Sequence, residues 1–586
     1  MRLLDGAIWR RDAGPLELPA PLAKDALAPR VGELPPGAAW AESAGDRRRA
    51  LWLEPARVLR CALELPPTAP RLRLALLAAP PANGAGLRIA AALEGGPELS
   101  LFDEPEIACA ARWRELELEL PAAWGGATVE FSFRSGAAGA PLALAEPRLV
   151  GAPDSAARGA RPQRRGPNVL LVVIDGLRAD RLGCFGSARA QTPAIDALAR
   201  SAWLFERCWT ALPSPSAGKQ SLLSGRFVAA AEPVDAALPL WFARQGYETA
   251  AFGPRRPEDH GLGPAAAAFD RLAPWGLLEG ESADSSARAS SAPLEWIERC
   301  SDQPFFLLLH GPLPLASGAG PAPPSPSPPA SEASPAPAPA APGDPDPIPL
   351  GVQRQGEEQR YAAALSRLDA ELGRLLSALE AAGLREHTLV AVTASVGFEL
   401  GERGGFGAGR SLYEEQLHVP LILSLPGKGT GRSPLLASSL DLAPTLLSAA
   451  GLTLPGGLDG HSLFAGRGST PRPPPGAADR RLFSWSPGPP AAAASLRGPL
   501  KALLAPASGA PPEPAGESAL CFDLALDPGE LDPRPLPAER RAELEQFLGQ
   551  GSRSRGFASA APATPSPPAT EALLAAVLEA LGLLRR

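Results

Sequence analysis

Asp175 is a single carboxylate at the end of an apolar run, a position from which it could bind a ligand. Residues 169–174, VLLVVI, are a continuous run of branched apolar side chains that ends at Asp175. A continuous rather than alternating apolar run predicts a strand buried on both faces, as in a sheet covered by helices. Open α/β sheets bind their ligands at the carboxyl ends of such strands, so Asp175 is a candidate ligand-binding residue. The alternative is that Asp175 only caps the turn that follows.

Histidine and cysteine, which often supply catalytic groups, are scarce in this chain. The five histidines are His260, His310, His387, His418 and His461. The six cysteines are Cys61, Cys109, Cys184, Cys208, Cys300 and Cys521, with no C-x-x-C pair and no metal-ligand spacing. We interpret the cysteines as small buried hydrophobic residues, and a Cys61–Cys109 disulfide stays open as an alternative.

Length and composition describe a globular protein of several domains. The chain has 586 residues, of which 45% are hydrophobic, and it contains 71 prolines and 60 glycines. This predicts two or three domains joined by linkers. The net charge of −7 combines interspersed charges of both signs. It therefore gives no electrostatic basis for binding nucleic acid or a membrane surface.

Targeting and membrane-spanning segments are not recognised. Residues 1–17, MRLLDGAIWRRDAGPLE, carry charges within any apolar core, which argues against a signal peptide. No apolar run approaches the roughly 20 residues that span a bilayer. The expectation is a cytoplasmic protein without a transmembrane segment.

The positioning elements begin with a region of alternating apolar and polar side chains at residues 50–150. Leucine alternates with arginine at 71–74 and with glutamate at 115–120, and the period of two recurs at 129–134. Gly- and Pro-rich turns separate these runs, so residues 1–150 are predicted to form a β-sandwich or jelly roll. Many sandwiches bind carbohydrate, but the only evident aromatic candidates are Trp113 and Trp124, and such tryptophans more often belong to the core.

Strands and helices alternate between residues 167 and 470. Predicted strands lie at 169–174, 246–252, 305–309, 388–393 and 419–425, and predicted helices begin at Thr192-Pro193 and span 357–384 and 439–452. Thr192 occupies an N-cap position and Pro193 the first helical position. The order predicts an α/β core with a mixed, mostly parallel sheet between helices.

The remaining segments are linkers and a small second region. We predict a basic linker at 151–166, a disordered Pro/Ala-rich insertion at 316–347, an α+β subdomain at 471–548, a low-complexity linker at 549–570 and a terminal helix at 571–586. The insertion and the last linker are too poor in apolar residues and too rich in proline to pack.

Several segments, taken in order, resemble the sulfatase family of the alkaline-phosphatase superfamily. They are NVLLVVIDGLRADRLGCFG (168–186), TPAIDALARSAWLFERCW (192–209), SLLSGR (221–226), DAELGRLLSALEAAGLREHTLVAVTA (369–394), GRSLYEEQLHVPLIL (409–423), DLAPTLLSAAGL (441–452), ALCFDLALDPGEL (519–531) and EALGLL (579–584). The resemblance implies the α/β fold of that family over residues 165–586. It also implies a nucleophile beside a divalent metal, usually calcium.

The nucleophile motif of the family, C/S-x-P-S-R followed by S-L-L-T-G-R, is altered here. Counting back from residues 222–226 places Pro215, which has no nucleophilic group, at the nucleophile position. Ser214 and Ser216 flank it and are the remaining catalytic candidates. Lys219 stands where the motif has arginine, which keeps a cation but loses the guanidinium geometry. The alternative for the whole segment is a surface turn.

The metal motifs are altered as well. In the frame of T-x-D-H-G-E-E-L-G-E-H-G, the resemblance places Ser395 and Val396 at the Asp-His metal pair. Three further family positions read Phe398, Arg403 and Ala408, and of the segment H-x-x-D-P-H this chain keeps His310 and Pro314. Calcium takes about six to eight oxygen ligands, which Asp175 cannot supply alone. Asp175 is therefore expected to be a vestigial metal ligand, and no cofactor is expected.

Together these departures predict a pseudo-sulfatase. Such a protein would bind a sulfated or phosphorylated ligand, or a partner protein, without catalysis. Candidate cations for an anionic ligand are Arg178, Lys219, Arg403 and Arg410, each of which could instead be a solvated surface charge. An altered hydrolase that uses Ser214 or Ser216 on a sulfuric or phosphate ester is the alternative. A structural scaffold that joins the sandwich to the core is a third, weaker hypothesis.

Overall fold

The fold is described from a computed structural model of the chain. It describes residues 10–11, 38–43, 46–53, 55–56, 58–66, 69–78, 85–93, 95–107, 113–136, 141–150, 166–227, 237–275, 292–298, 304–313, 350–464, 470–471, 480–486, 492–506 and 517–554. The chain packs into two compact units, Met1–Ser486 and Pro487–Arg586. The insertion predicted at 316–347, the terminal helix predicted at 571–586 and nearly all of the linker at 151–166 lie outside the described residues.

The amino-terminal region is a two-layered antiparallel sandwich. Its strands are β1 (Arg10–Arg11), β2 (Ala38–Ser43), β3 (Asp46–Leu53), β4 (Val58–Glu64), β5 (Arg71–Ala78), β6 (Ala85–Leu93), β7 (Leu99–Ile107), β8 (Arg114–Glu119), β9 (Thr128–Ser135) and β10 (Leu142–Val150). One layer has the order β1-β4-β9-β6-β7 and the other β2-β3-β10-β5-β8. The predicted alternation is observed, because Leu72 and Leu74 are buried between the layers while Arg71 and Arg73 are only half-buried.

The second part of the first unit is a mixed sheet between helices, as predicted. The strands of this sheet are β11 (Asn168–Asp175), β12 (Trp203–Trp209), β13 (Glu248–Gly253), β14 (Arg271–Pro274), β15 (Phe305–Pro312), β16 (Thr388–Thr393), β19 (His418–Ser424) and β20 (Gly431–Ser438). The short strands β17 (Glu399–Leu400) and β18 (Phe406–Gly407) pair with each other in a separate two-stranded sheet, and β21 (Arg481–Ser486) also lies outside the mixed sheet. The order β20-β12-β19-β16-β11-β15-β13-β14 places β11 inside the sheet. β11 pairs in parallel with β15 and β16, and all eight of its residues are buried.

The helices of this unit cover both faces of the sheet. They are α1 (Pro193–Arg200), α2 (Pro215–Ser224), α3 (Leu238–Arg244), α4 (292–298), α5 (Leu350–Ala381), α6 (Glu414–Leu417) and α7 (Leu442–Ala449). The α5 helix begins seven residues before the predicted start at 357. The predicted helix at 439–452 is a 3-10 turn followed by α7.

The first turn of α1 is capped from another helix. Thr192 occupies the N-cap position, as predicted, but its hydroxyl makes no cap hydrogen bond and instead accepts the amide of Gly183 at 3.1 Å. The carboxylate of Asp369 on α5 accepts the free amides of Ala194 at 3.0 Å and Ile195 at 2.8 Å. An anionic acceptor at a helix amino terminus is favoured by the free N–H groups and the helix dipole. Asp369 thus fixes α1 against α5.

The sandwich and the α/β core share one continuous sheet, which the sequence did not predict. Strand β14 at the edge of the core sheet pairs antiparallel with β3 of the sandwich, giving a sheet of 13 strands. At this junction the carboxylate of Asp46 accepts hydrogen bonds from Arg48 and Arg271, the shortest at 2.8 Å and 2.7 Å. The indole of Trp113 donates to the Asp46 carbonyl at 3.0 Å. Trp113 is thereby used in the junction rather than as a ligand platform.

The cysteines that the structure describes are all free thiols. Cys61 and Cys208 are free and buried, and Cys184 and Cys521 are free and partly buried. The alternative of a Cys61–Cys109 disulfide is therefore not formed; Cys109 itself lies outside the described residues. Among the helices that the structure describes, none is both long enough and apolar enough to cross a membrane.

The second unit is an antiparallel sheet with one long helix. Its strands are β22 (Ala492–Arg497), β23 (Leu500–Pro506), β24 (Glu517–Asp523) and β25 (Arg534–Pro535), followed by α8 (Ala538–Ser554). The unit begins at Pro487, whereas the sequence placed the boundary at 470/471. Helix α8 also continues six residues beyond 548, into the segment predicted as a linker.

A buried ion pair stabilises this second unit. Lys501 Nζ lies 2.6 Å from Glu530 Oε1, and both side chains are fully buried. Replacing Lys501 with methionine removes the cation that pairs with the buried Glu530 carboxylate, so we expect a loss of about 3–5 kcal/mol in the free energy of unfolding. Amide hydrogen exchange of β23 in the full chain measures it. The double variant Lys501→Met/Glu530→Met should recover most of the loss, and equal losses in the single and double variants would contradict the prediction.

Candidate functional site

Asp175 lies at the carboxyl end of β11, next to Pro312 of β15. Its carboxylate is only 6% exposed and has two partners from distant segments. Lys219 Nζ on α2 donates to Asp175 Oδ2 at 2.6 Å. The hydroxyl of Ser395, which follows β16, donates to Asp175 Oδ1 in a very short hydrogen bond. The sequence proposed all three residues as parts of one site, and the structure brings them together.

Close packing of α2 places Lys219 beside Asp175. A Cβ atom on Gly218 would lie 2.6 Å from the Ser395 carbonyl oxygen and 2.7 Å from that of Leu212, so only glycine allows this approach. The Ser395 carbonyl also accepts the hydroxyl of Thr210 at 2.6 Å. The backbone on both sides of the carboxylate is therefore held rigidly, and Lys219 is left 2% exposed.

Asp175 and Lys219 form a buried ion pair whose net charge is zero. Burial raises the pKa of the Asp175 carboxyl, and the Lys219 ammonium and the Ser395 hydroxyl oppose that shift. At 2.6 Å the contact between ammonium and carboxylate has the geometry of a strong charge-assisted hydrogen bond. One positive and one negative charge thus cancel within the protein.

The two candidate nucleophiles lie at the start of α2. Pro215 is the first residue of the helix, and Ser214 is its N-cap residue without a side-chain cap bond. Ser216 is exposed; its hydroxyl donates to the Gly261 carbonyl at 3.1 Å and accepts the amide of Gln220 at 3.0 Å. Neither an amide nor a carbonyl is a general base, so these contacts of Ser216 do not activate it.

Arg178 forms ion pairs with nearby carboxylates. Its Nε and Nη2 donate to Asp180 at 2.9 and 2.8 Å, and its Nη1 donates to Glu402 at 2.6 Å and to the Phe398 carbonyl at 2.9 Å. Although burial acts in the opposite direction, Arg178 lowers the pKa of both carboxyls. Its guanidinium thus has its three nitrogens engaged within the protein.

The other two candidate cations also face carboxylates. Arg403 Nε donates to Glu415 at 2.9 Å, and its guanidinium lies 3.9 Å from the centre of the Tyr413 ring. Arg410 Nε lies 3.3 Å from Glu399, with nearly half of its side chain exposed. Every cation that the sequence offered for an anionic ligand is therefore paired with an internal carboxylate.

The groups around Asp175 do not fit a divalent cation. Val396 is buried and apolar, and the ring of Phe398 lies 3.3 Å from where a Cβ of Gly176 would be. Within the described residues, no group of three or more His, Cys, Asp and Glu side chains could hold a metal ion. A divalent ion bound to Asp175 would lie about 4 Å from the ammonium of Lys219 and be repelled by about 8 kcal/mol at an effective dielectric constant of 20.

A pair of buried histidines near this site was missed as a pair by the sequence reasoning. His260 Nδ1, in a 3-10 turn after β13, lies 2.9 Å from His310 Nε2 on β15. Burial, together with the nearby charge of Lys219, lowers the pKa of His260 to about 4 and that of His310 well below its usual value. Two features of the sequence could have pointed to this pair: histidines are few, and His260 lies in a loop after a predicted strand.

Comparisons with known proteins agree in pointing to one family. Residues 167–452 match the family described as Sulfatase. N-acetylglucosamine-6-O-sulfatase of Bacteroides thetaiotaomicron is 37% identical over 116 residues, which cover 19% of this chain and 21% of that protein. Human iduronate 2-sulfatase is 26% identical over 332 residues, covering 44% of this chain and 60% of that protein. The chain thus spans about a fifth of the first relative and less than two thirds of the second.

The solved structure of the phosphonate monoester hydrolase of Agrobacterium radiobacter aligns with this chain with a TM-score of 0.47 at 21% sequence identity. The alignment covers 66% of this chain and 94% of that one.

Proposed function

We propose that the α/β core, a sulfatase-family domain over residues 167–452, is non-catalytic and serves to bind an anionic ligand or a partner protein. The observation that carries the proposal is the 2.6 Å contact of the Lys219 ammonium with the Asp175 carboxylate. In the proposal the ammonium takes the position that a divalent cation needs beside this carboxylate.

Loss of the metal would remove the Lewis acid from any ester hydrolysis at this place. A metal neutralises the oxygens of a sulfuryl or phosphoryl group and activates the nucleophile. Removal of one oxyanion-stabilising group alone slows an enzyme about 10²- to 10³-fold, and groups that act together fail together. Pro215 has no nucleophilic atom, so the usual position of the nucleophile offers no substitute.

The alternative is an altered hydrolase that uses Ser214 or Ser216. Its support is the activity that the names of the sulfatase relatives state for those proteins. Against it stand the contacts of Ser216, which are an amide and a carbonyl rather than a base. His260 and His310 are buried and hydrogen-bond to each other. They therefore offer no proton acceptor to the exposed Ser216.

An anionic ligand would be bound without a free guanidinium from the candidate set, since those groups have internal partners. The amino terminus of α2 remains, because Ser214 provides no side-chain cap there and Ser216 is exposed. Helix amino termini favour sulfate and phosphate groups through their free N–H donors. The proposed ligand class is therefore a sulfated or phosphorylated group, and a protein partner is the other candidate.

An activity assay tests the non-catalytic proposal. We expect the full chain to show no turnover of 4-nitrophenyl sulfate, a phosphate monoester or a phosphodiester, with or without Ca²⁺, Mn²⁺ or Zn²⁺. The physical reason is the internal ammonium at the metal position together with the missing nucleophile. Turnover that disappears in Ser214→Ala or Ser216→Ala would establish the hydrolase alternative. Stoichiometric calcium in the purified protein that is lost in Asp175→Asn would also contradict the proposal.

A titration tests the ligand separately from catalysis. Inorganic sulfate and phosphate are added to the full chain, and the thermal midpoint is followed. Binding to the native state raises the midpoint with ligand concentration. A rise that is absent in a variant with Ser216→Asp, whose carboxylate repels anions from α2, supports an anion site. No rise for either ion leaves the partner protein as the proposed ligand.

A further inference from the structure

The segment 254–261 is tied to the sheet by two buried histidines. It leaves β13 at Pro254 and ends at Gly261, whose φ of +62° is a left-handed conformation that favours glycine. His260 reaches back to His310 on β15, and the absence of a side chain at Gly253 makes room for the contact, since a Cβ there would lie 2.6 Å from His310 Nε2. The contact thus depends on close packing as well as on a hydrogen bond.

The contact between the two rings requires one shared proton. In the 2.9 Å contact of His260 Nδ1 with His310 Nε2, one nitrogen donates its N–H and the other accepts with its lone pair. The other nitrogen of His310, Nδ1, is buried and has no hydrogen-bond partner among the described residues. Two neutral rings therefore satisfy the contact, and an added proton finds no acceptor on His310 Nδ1.

We propose that the His260–His310 pair is an acid-sensitive latch that holds the segment 254–261 against β15 and releases it when a proton binds. Both routes of protonation break the arrangement. A proton on the accepting nitrogen of the contact faces the N–H of the other ring at 2.9 Å, so the hydrogen bond becomes a repulsive contact. A proton on His310 Nδ1 creates a buried cation with no acceptor, which is costly in a low-dielectric interior.

Of the charges around the pair, the larger effect opposes protonation. The ammonium of Lys219 on α2 disfavours a positive charge on either ring, and Asp259 beside His260 favours one more weakly. The pKa of His260 is lowered to about 4 from an ordinary value of 6.5. An opened segment regains the ordinary value, so the opened form takes up a proton between these values. Acidification from about pH 6.5 towards 4 therefore favours opening, and neutral pH favours closure.

Release of the segment would change the surface at the start of α2. The Gly261 carbonyl accepts the hydroxyl of Ser216 at 3.1 Å, so this part of the surface is in contact with the segment. Opening would free that hydroxyl, which lies in the already exposed first turn of α2. The latch would thus couple pH to the surface on which the proposed anionic ligand binds, although the latch itself does not depend on that ligand.

Hydrogen exchange of the full chain tests the latch. Between pH 7 and pH 4.5, and after correction for intrinsic exchange, we expect amides in a peptide covering 255–263 to exchange at least tenfold faster. Amides of β4 in the sandwich should change much less. In the variant His260→Gln/His310→Gln the pH dependence should disappear, whereas His387→Gln, a change at an exposed histidine, should leave it intact.

Two results would overturn the latch. One is an unchanged exchange rate of 255–263 across this pH range in the wild-type chain, which needs no variant to fold. The other is an equal acceleration in 255–263 and in β4, which would show acid unfolding of the whole unit. Retention of the full pH effect in the double glutamine variant would place the titrating group elsewhere and also reject the proposal.

Discussion

Replacing Lys219 with methionine is expected to lower the free energy of unfolding of the first unit by about 3–5 kcal/mol. The ammonium is the charged partner of Asp175, which is 6% exposed and lies on a strand buried along its whole length. Without it, one carboxylate remains in the interior with a hydroxyl as its remaining side-chain partner. Urea unfolding followed by circular dichroism measures the loss.

A double-mutant cycle separates the ion pair from packing. Asp175→Asn removes the carboxylate charge, so the variant Asp175→Asn/Lys219→Met contains no unpaired charge and should recover most of the stability. Ser395→Ala, which removes a hydrogen bond without removing a charge, is the milder control and should cost about 1–3 kcal/mol. Equal instability of Lys219→Met and the double variant would show that Lys219 does not stabilise the protein through the ion pair.

The pH dependence of Lys219→Met gives the same test an independent readout. Burial already raises the pKa of Asp175, and loss of the ammonium raises it further. A carboxyl whose folded pKa exceeds its unfolded value loses stability as the pH rises between the two values. The deficit of the variant relative to the wild type should therefore be greatest at neutral pH and shrink on acidification. A deficit that grows as the pH falls would contradict this assignment.

The second large effect is expected at the junction of sandwich and core. Asp46→Ala leaves Arg48 and Arg271, two largely buried guanidinium groups, without the carboxylate they share. We expect a loss of about 3–5 kcal/mol, as for other buried pairs from which one partner is removed. Because Arg271 lies on β14 and Asp46 on β3, the loss should be accompanied by faster amide exchange in both strands.

Glu117→Ala is a matched control for the junction. Glu117 also accepts from two arginines, Arg71 at 2.6 Å and Arg73 at 2.8 Å, but it lies on the exposed face of the sandwich. Exposed pairs of this kind contribute about 0–1 kcal/mol. Although burial acts against it, the pKa of Asp46 is held below its usual value by Arg271 and Arg48, so the contribution of Asp46 is lost only below about pH 4. Equal effects of the two substitutions would show that burial does not matter here.

Local patterns in the sequence predicted most of the individual elements. The apolar run before Asp175 becomes β11, and the predicted strand at 388–393 becomes β16 with the same bounds. Both predictions rest on an uninterrupted run of apolar residues, which a strand needs when both of its faces are buried. The helix beginning at Pro193 was found, but its cap was not, because Asp369 lies 175 residues away in the sequence.

Contacts between residues far apart in the sequence were harder to predict. Asp175 was singled out from the apolar run before it, and Lys219 and Ser395 from the family resemblance. Nothing in the residue pattern shows that the ammonium points at the carboxylate. That contact depends on the close approach of α2 at Gly218. Similarly, the arginines were visible as cations, but apart from Asp180, a near neighbour of Arg178 in the sequence, their carboxylate partners lie in the folded 398–415 segment. Side-chain direction and the pairing of sheet edges are set by tertiary structure.

The pairing of β3 with β14 also protects the protein from self-association. Strand β14 is the last strand of the core sheet, and without β3 its outward N–H and C=O groups would be an open edge. Open edges recruit strands from other molecules and so promote aggregation. The sandwich moves that edge away to β8, where Arg114, Glu115, Glu117 and Glu119 alternate with leucines, and charged residues of this kind discourage edge-to-edge contact. We therefore expect the core to self-associate more readily when the sandwich is removed.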